Sequence, residues 1–457
     1  MGANAPGAQT VEGLSTDTLC TDTLSGDAPC GGPRPHSEAA PQPRLAPYPG
    51  SWAVYVHFPF CLHRCNYCDF ATVAHRDPPR ERVLAACLAE LALRCEGLEP
   101  APIRSVFFGG GTPSLWGAPA ISAILGWLDR WAGLAADCEI TLEANPGAAE
   151  EGDLRGYVAA GVTRISLGVQ ALSDQRLRQL DRIHDAEAAW VALRTLGQLR
   201  REGGLRAASA DLIYGLPGQT AAELRADVTA LLDHGLTHLS AYALTIESGT
   251  PLQRLVARGL APATDDAHQA AMLEQMPALV ASHGLQRYEV SNFAVPGSEC
   301  RHNLAYWQGH HYLAVGVGAH GFLPCALPGA FGIRTANTRS VAAWFEALEA
   351  GRLAEAPPEV ATAESHLDEW LLTGLRLRDG IDLAAVAARF GDTVASALAQ
   401  AAAAVPGLQV VSAVITVEAA AIVRLDDVIA SLAVSVSRRW QAARALQRRA
   451  SGGIGLR

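Results

Sequence analysis

Three cysteines fall within eight residues, Cys61, Cys65 and Cys68 of the run FCLHRCNYCD (60–69), between an apolar segment (53–58) and the glycine-rich GGGTPS (109–114). Three thiolates on one short loop can each hold one iron of a cubane cluster, leaving the fourth iron open to an outside ligand. An open iron is where chemistry can start, so a loop of this kind belongs at the end of a strand that faces a ligand. The alternative is a zinc knot with His57 or His63 as fourth ligand. Structural zinc sites usually bring their ligands as two separated pairs, and the chain has no second close pair of cysteines.

Cys87, Cys95, Cys138, Cys300 and Cys325 are scattered and read as small buried hydrophobes. Cys20 and Cys30 have no partner at ligand spacing. A thiolate triplet ready for metal belongs in a reducing compartment and no secretory signal is visible, which predicts a cytoplasmic protein without disulfides. The 457 residues, about half of them hydrophobic, allow one large core and a smaller appended domain. A net charge of −10 argues against a nucleic-acid surface, which needs clustered Lys and Arg. No apolar run approaches the ~20 residues of a membrane span. Residues 1–49, rich in Gly, Pro, Ser and Thr and without apolar periodicity, read as a disordered tail.

From Trp52 onward, apolar runs at 53–58, 105–108, 139–143, 164–169, 207–213 and 238–244 alternate with helix-like segments at 81–94, 121–131, 187–202 and 221–234. This alternation predicts a parallel sheet, buried on both faces, with crossover helices. Six such units are too few to close an eight-stranded barrel. The expected fold is α/β, a partial (β/α)6 TIM-like barrel whose strand ends line one open mouth. Glu143, Gln170 and Asp211 fall at those ends, and Ala243 offers its backbone there. Gly109, Gly110 and Gly111 follow the second strand, where missing side chains let the backbone approach a ligand. The run is neither a P-loop nor a dinucleotide fingerprint.

YVHFPFC (55–61), the CxxxCxxC triplet and GGGTPS resemble the radical S-adenosylmethionine superfamily. LGVQ (167–170) and DLIYGLPG (211–218) narrow the resemblance to the branch of oxygen-independent coproporphyrinogen III oxidase. It covers about residues 52–325 and implies a 4Fe-4S cluster on Cys61, Cys65 and Cys68 that cleaves S-adenosyl-L-methionine. The contacts it implies to S-adenosylmethionine fall on Tyr55, Gly110, Gly111, Thr112, Glu143, Gln170, Arg182, Asp211 and Ala243, with Tyr67 packing on adenine. Glu143 and Asp211 suit ribose hydroxyls or an ammonium, and Arg182 suits a carboxylate.

Members with coproporphyrinogen oxidase activity carry a further cysteine two residues after the triplet, where this chain has Phe70. RHNLAYW (301–307) instead matches the HNxxYW motif of the HemW-type heme chaperones. The resemblance therefore implies heme as a further cofactor and a radical S-adenosylmethionine scaffold without coproporphyrinogen III dehydrogenase activity. It implies heme-accepting proteins, respiratory cytochromes among them, as partners, and leaves a homodimer open. The alternative is a coproporphyrinogen III oxidase or another tetrapyrrole-modifying radical enzyme. On chemistry, His302 can ligate heme iron while Tyr306 and Trp307 face a porphyrin. Equally, His302 can satisfy a local polar group with Tyr306 and Trp307 in the core, and Cys300, His310, His311 and His320 compete as ligands. The long sequence separation of His302 from the cysteine loop predicts that its loss leaves the cluster intact.

The expected domains are a barrel over 50–290, a connecting region with HNxxYW over 291–359, a small, mainly helical winged-helix-like domain over 360–437, and a flexible tail over 438–457. Residues 410–423 lack the strand-turn-strand punctuation expected of such a domain.

Overall fold

A computed structural model describes residues 50–147 and 152–451, except for the side chains of 442–451. The tail expected over 1–49 lies outside the described residues. Six parallel strands lie side by side in chain order: β1 (Trp52–Phe58), β2 (Ile103–Gly110), β3 (Leu134–Ala144), β4 (Arg164–Gln170), β5 (Ala207–Tyr214) and β6 (His238–Ala243). Helices α1 (Arg80–Cys95), α2 (Ala118–Ala132), α3 (Ala186–Arg201) and α4 (Ala221–Leu232) connect strands within this array, and α5 (Asp266–Ala281) follows the last. The helix starts were written locally. Asp185 accepts from the Ala188 N–H, Asp265 from Ala267 and His268, and Thr220 with Glu223 forms a capping box.

Side chains alternate across each strand. One set, including Val54, Val56, Val106, Phe108, Ile140, Leu142, Ile165, Leu167, Ala210 and Leu212, packs into the main hydrophobic core. The other set is largely polar: His57, Ser105, Glu139, Thr141, Glu143, Arg164, Ser166, Ser209, Asp211, His238 and Ser240. Both faces are sequestered, as expected, but only the outer one is apolar. Parallel register sets the inner residues beside one another, Glu143 opposite Ser166 and Asp211 opposite Ser240.

Helix α6 (Arg301–Trp307) precedes a further strand, β7 (Tyr312–Val315), which pairs parallel with β1 from Ala53↔Tyr312 to Val56↔Val315. β8 (His320–Leu323), β9 (Gly332–Ala336) and Glu359–Ala361 continue antiparallel from it. At the far side Asn292–Ala294 pairs antiparallel with β6. The stretch expected as a connecting region thus supplies strands to the same sheet and covers the edges of β1 and β6, which would otherwise expose unpaired backbone.

Glu90 of α1 fastens this extension. Its buried carboxylate accepts from Arg94 Nε (2.7 Å), Asn337 Nδ2 (2.6 Å), Gly316 N (2.9 Å) and Trp344 Nε1 (2.8 Å), and Arg94 also reaches Glu355 (2.8 Å).

The C-terminal domain has its own core, centred on Leu371, Val386, Leu398, Ile415 and Leu432. It is built from α7 (Ala363–Gly374), α8 (Leu383–Phe390), α9 (Asp392–Ala402), a three-stranded sheet and α10 (Leu425–Ser451). The sheet corrects the reading of 410–423: Leu408–Val411 and Val414–Val417 form a hairpin. Its two-residue turn is Ser412-Ala413, both left-handed (φ 52° and 65°), where Asn-Gly is the usual signal. The tail expected from 438 is instead helix to Ser451, with Trp440 packed against the domain core. Residues 452–457 lie outside the described residues.

Replacing Arg94 by Ala leaves Glu90 charged and buried without its cation, a loss on the order of 3–5 kcal/mol. Chemical denaturation should show this loss in the Arg94→Ala variant, while exposed Arg82→Ala, whose partner Glu349 is also exposed, should change stability by less than about 1 kcal/mol.

Candidate cofactor site at the barrel mouth

The C-terminal ends of the strands surround a cavity of about 440 Å³ whose lining includes Cys61, Cys65, Cys68, Tyr67, Gly110, Gly111, Thr112, Glu143, Gln170, Arg182, Asp211 and Ala243. All three cysteines and all the expected S-adenosylmethionine contacts except Tyr55 thus reach one cavity. Tyr55 lies behind the glycine run: its ring stacks on Phe107 (centroids 6.1 Å apart) and its hydroxyl sits 3.0 Å from His57 Nδ1. A side chain on Gly109 would collide with that ring at 2.9 Å.

The glycine loop is tight for a reason. A Cβ on Gly110, whose φ is 113°, would lie 2.6 Å from the His57 ring, and one on Gly111 would lie 2.4 Å from the Phe60 carbonyl oxygen. Only glycines let this loop lie on the end of β1 and turn backbone toward the cavity. Gln170 takes φ 65° at a break in register after Leu167, a bulge that re-aims the strand end.

Arg182 ties the two loops together. It donates to Asn145 Oδ1 (2.6 Å) and the Gly168 carbonyl (3.0 Å), and its other terminal nitrogen lies 3.5 Å from Cys65 Sγ. Asn145 in turn donates to Thr112 Oγ1 (3.1 Å). Asn145 was missed by the sequence reading; its only signal is the Asn-Pro turn directly after a strand. His63 Nε2 and Asp181 Oδ2, 2.9 Å apart, make a second tie between the cysteine loop and the Arg182 segment.

Burial raises the Cys65 thiol, and the Arg182 guanidinium opposes that rise. Burial, then the neighbouring Asp211 charge, pushes Glu143 up to about 8 against the pull of the Gly110 N–H at 3.1 Å. Burial also raises Asp211, which Ser240, Ser166, Arg164 and Arg182 partly offset. Among the described residues no three His, Cys, Asp or Glu side chains converge on a single-ion point. A cubane asks for a different layout, one thiolate per iron, and three thiol-bearing residues around an open cavity with a cation beside Cys65 suit it.

The HNxxYW helix lies elsewhere. α6 enters the barrel from the N-terminal ends of the strands, its His302 N–H directed at Glu139 Oε1 (3.3 Å). His302 is buried, with Nδ1 3.1 Å from Ser105 Oγ and Nε2 2.7 Å from the Tyr306 hydroxyl. Burial lowers it to about 3, so the ring is neutral. It packs on Phe107 (5.2 Å) and Tyr55 (6.2 Å), and Tyr306 packs on Tyr312 (4.5 Å). In this arrangement both ring nitrogens are engaged, so the expected iron ligand offers no open lone pair. The expected independence of His302 and the cysteine loop also weakens, because Tyr55 and His57 connect the aromatic stack to Ala71, whose carbonyl lies 3.1 Å from His57 Nε2. Trp307 is half-buried.

A raised carboxyl pKa means the folded state keeps a proton that the unfolded chain releases near its ordinary 4.5. Stability contributed by Glu143 is therefore full below pH 4.5 and falls as pH rises toward 8. Glu143→Gln should gain thermal stability over the wild type progressively between pH 5 and 8, with the gain level above that, in melting curves of the ligand-free protein. A difference constant across that window would show that Glu143 titrates normally.

The Radical SAM superfamily model matches residues 55–231 and the HemN C-terminal domain model residues 361–409. The heme chaperone HemW of Mycobacterium tuberculosis is 38% identical over 351 residues, covering 76% of this chain and 87% of the relative. HemW of Escherichia coli is 35% identical over 328 residues, 71% and 82% of the two chains. The solved structure of coproporphyrinogen III oxidase (HemN) from Escherichia coli aligns with a TM-score of 0.70 at 21% identity, over 85% of this chain and 91% of that one, which is a likeness of fold. The strands, the cysteine loop and the appended domain thus have one common source, and the chain belongs to the HemW heme-chaperone family of the radical SAM superfamily.

Proposed function

We propose that this chain is a heme chaperone that carries a 4Fe-4S cluster and S-adenosylmethionine at the barrel mouth, binds heme and hands it to acceptor proteins in the cytoplasm. The observation that carries the cofactor reading is the chain Cys65–Arg182–Asn145–Thr112, which couples the cysteine loop to the glycine loop across a cavity walled by Glu143 and Asp211. The heme reading draws on the relatives named heme chaperone.

Cys61, Cys65 and Cys68 would hold the cluster. When bound, the cluster supplies an open iron for the amino-acid end of S-adenosylmethionine and an electron for its sulfonium. The backbone of Gly110 and Gly111 admits the ligand's ammonium, and Arg182 pairs with its carboxylate while still steadying Cys65. Glu143 and Asp211 accept from ribose hydroxyls or the ammonium, and a cation brought between them relieves their mutual repulsion. Gln170 closes the wall, Tyr67 packs on adenine and Ala243 offers its carbonyl. Tyr55 acts from behind, by supporting Gly109. No helix among the described residues is long and apolar enough to cross a membrane.

Phe70, 58% exposed on the cavity rim, brings no thiol to this mouth, which separates the chaperone reading from a coproporphyrinogen oxidase. After anaerobic reconstitution, Cys61→Ala, Cys65→Ala and Cys68→Ala should each lose the absorption and paramagnetic signal of the cluster, because two thiolates leave two irons unheld. A variant that keeps a full cluster removes that cysteine from the ligand set. The reconstituted wild type should bind heme and leave coproporphyrinogen III unchanged; formation of protoporphyrinogen would replace the chaperone by the oxidase.

A further inference from the structure

We infer that heme is held at the N-terminal end of the barrel, opposite the cysteine mouth, with His310 as its axial ligand and the outer face of the HNxxYW helix as its wall. This rests on the heme reading above and assigns that ligand a place.

Helical spacing divides α6. His302 and Tyr306, four residues apart, point into the barrel, whereas Arg301, Leu304 and Gln308 share the other face. That face lines a second cavity of about 290 Å³, together with Trp52 at the start of β1, Arg104 at the start of β2, and His310. The volume sits at the low end of small-molecule sites, ~300–1,000 Å³, so it would take one edge of a porphyrin and leave the rest exposed. Partial exposure suits a carrier that has to release its cargo.

The chemistry at the rim matches a ferric tetrapyrrole with two propionates. The His310 ring is exposed and makes no hydrogen bond among the described residues. Partial burial and the Arg389 charge hold it below the ordinary imidazole range, so it is neutral and has a lone pair for iron. Arg104 is exposed without a hydrogen-bonded partner, and Arg301 is exposed with Asp137 at 2.8 Å; two guanidinium groups at one rim suit carboxylates. Leu304 and Trp52 provide apolar wall.

The rival ligands are worse placed. His302 is sealed between Ser105 and Tyr306. Cys300 is buried, its sulfur 3.5 Å from Glu139 Oε1 and its thiol pushed up to about 12 by burial, so it is no thiolate. His311 has Nε2 2.8 Å from the Phe331 carbonyl oxygen. His320 does not line this cavity.

The test is hemin titration of the full-length chain, reconstituted with its cluster, followed by the Soret band. His310→Ala should bind hemin on the order of tenfold more weakly with a shifted Soret maximum, and added imidazole should restore the wild-type spectrum. Arg104→Glu should weaken binding without moving the band, and iron and sulfide content should stay at wild-type levels in both. If the alanine variant fails to fold, His310→Gln carries the same test. Wild-type affinity and spectrum in the His310 variant would overturn this site while leaving the heme reading intact, and so would weakened binding that imidazole does not rescue. A wild-type chain that takes up no stoichiometric hemin would overturn both.

Discussion

A parallel barrel with too few strands to close has an interior that must be filled, and in this chain the inner residues are mostly polar. The rest of the structure follows from how that interior is satisfied. Unpaired, the buried Glu139, Arg164, Asp211 and His238 would each cost several kcal/mol. They are instead matched: Arg164 lies 3.8 Å from Glu139 and donates to the Ser298 carbonyl, Ser166 donates to Asp211, and Ser209 and Tyr288 occupy the two nitrogens of His238. Helix α6 completes the filling from below, bringing His302 and Tyr306 against Tyr55, Phe107 and Ser105. The HNxxYW motif is therefore read in the fold first as an interior plug.

The filling stops short of the top, and what it leaves there is chemically unsettled. Glu143 and Asp211 face the same cavity with only hydroxyls, one N–H and distant guanidinium groups to offset burial. Carboxyls held in that state favour a ligand that brings a positive charge or hydroxyl donors. The cysteine loop is steadied from the same side through Arg182, so the metal-binding and ligand-binding halves of the mouth are mechanically one unit. α6 separates this mouth from the cavity at the other end, and one seven-residue helix thus contributes different faces to two different surroundings.

Legibility in the sequence followed locality. The cysteine loop, the glycine run and the strand-end Glu143, Gln170 and Asp211 were readable because short loops at the ends of parallel strands converge whatever the helices do. The six strands were readable because their outer residues form apolar runs. Less local features were not. The Ser412-Ala413 turn carries no turn signal, since its left-handed backbone is tolerated for the sake of the hairpin and the domain core beneath it. The parallel pairing of β7 with β1 joins residues more than two hundred positions apart, and nothing in either strand names the other. The helix beyond 438 has polar residues on its exposed side and reads as a tail until Trp440 is seen against the core.

The sequence by itself determined the metal-binding loop, the αβ order, the chemistry available at the strand ends and the family, because each is carried by contiguous residues whose spacing dictates local geometry. Only the tertiary structure decided which histidine is open and which is sealed, that Asn145 bridges two loops, and that Tyr55 supports the site from behind. These are outcomes of packing: a ring nitrogen is a ligand or a structural hydrogen-bonding group according to what the fold sets beside it. For His302 the fold sets Ser105 and Tyr306 there, and for His310 it leaves solvent and a cavity.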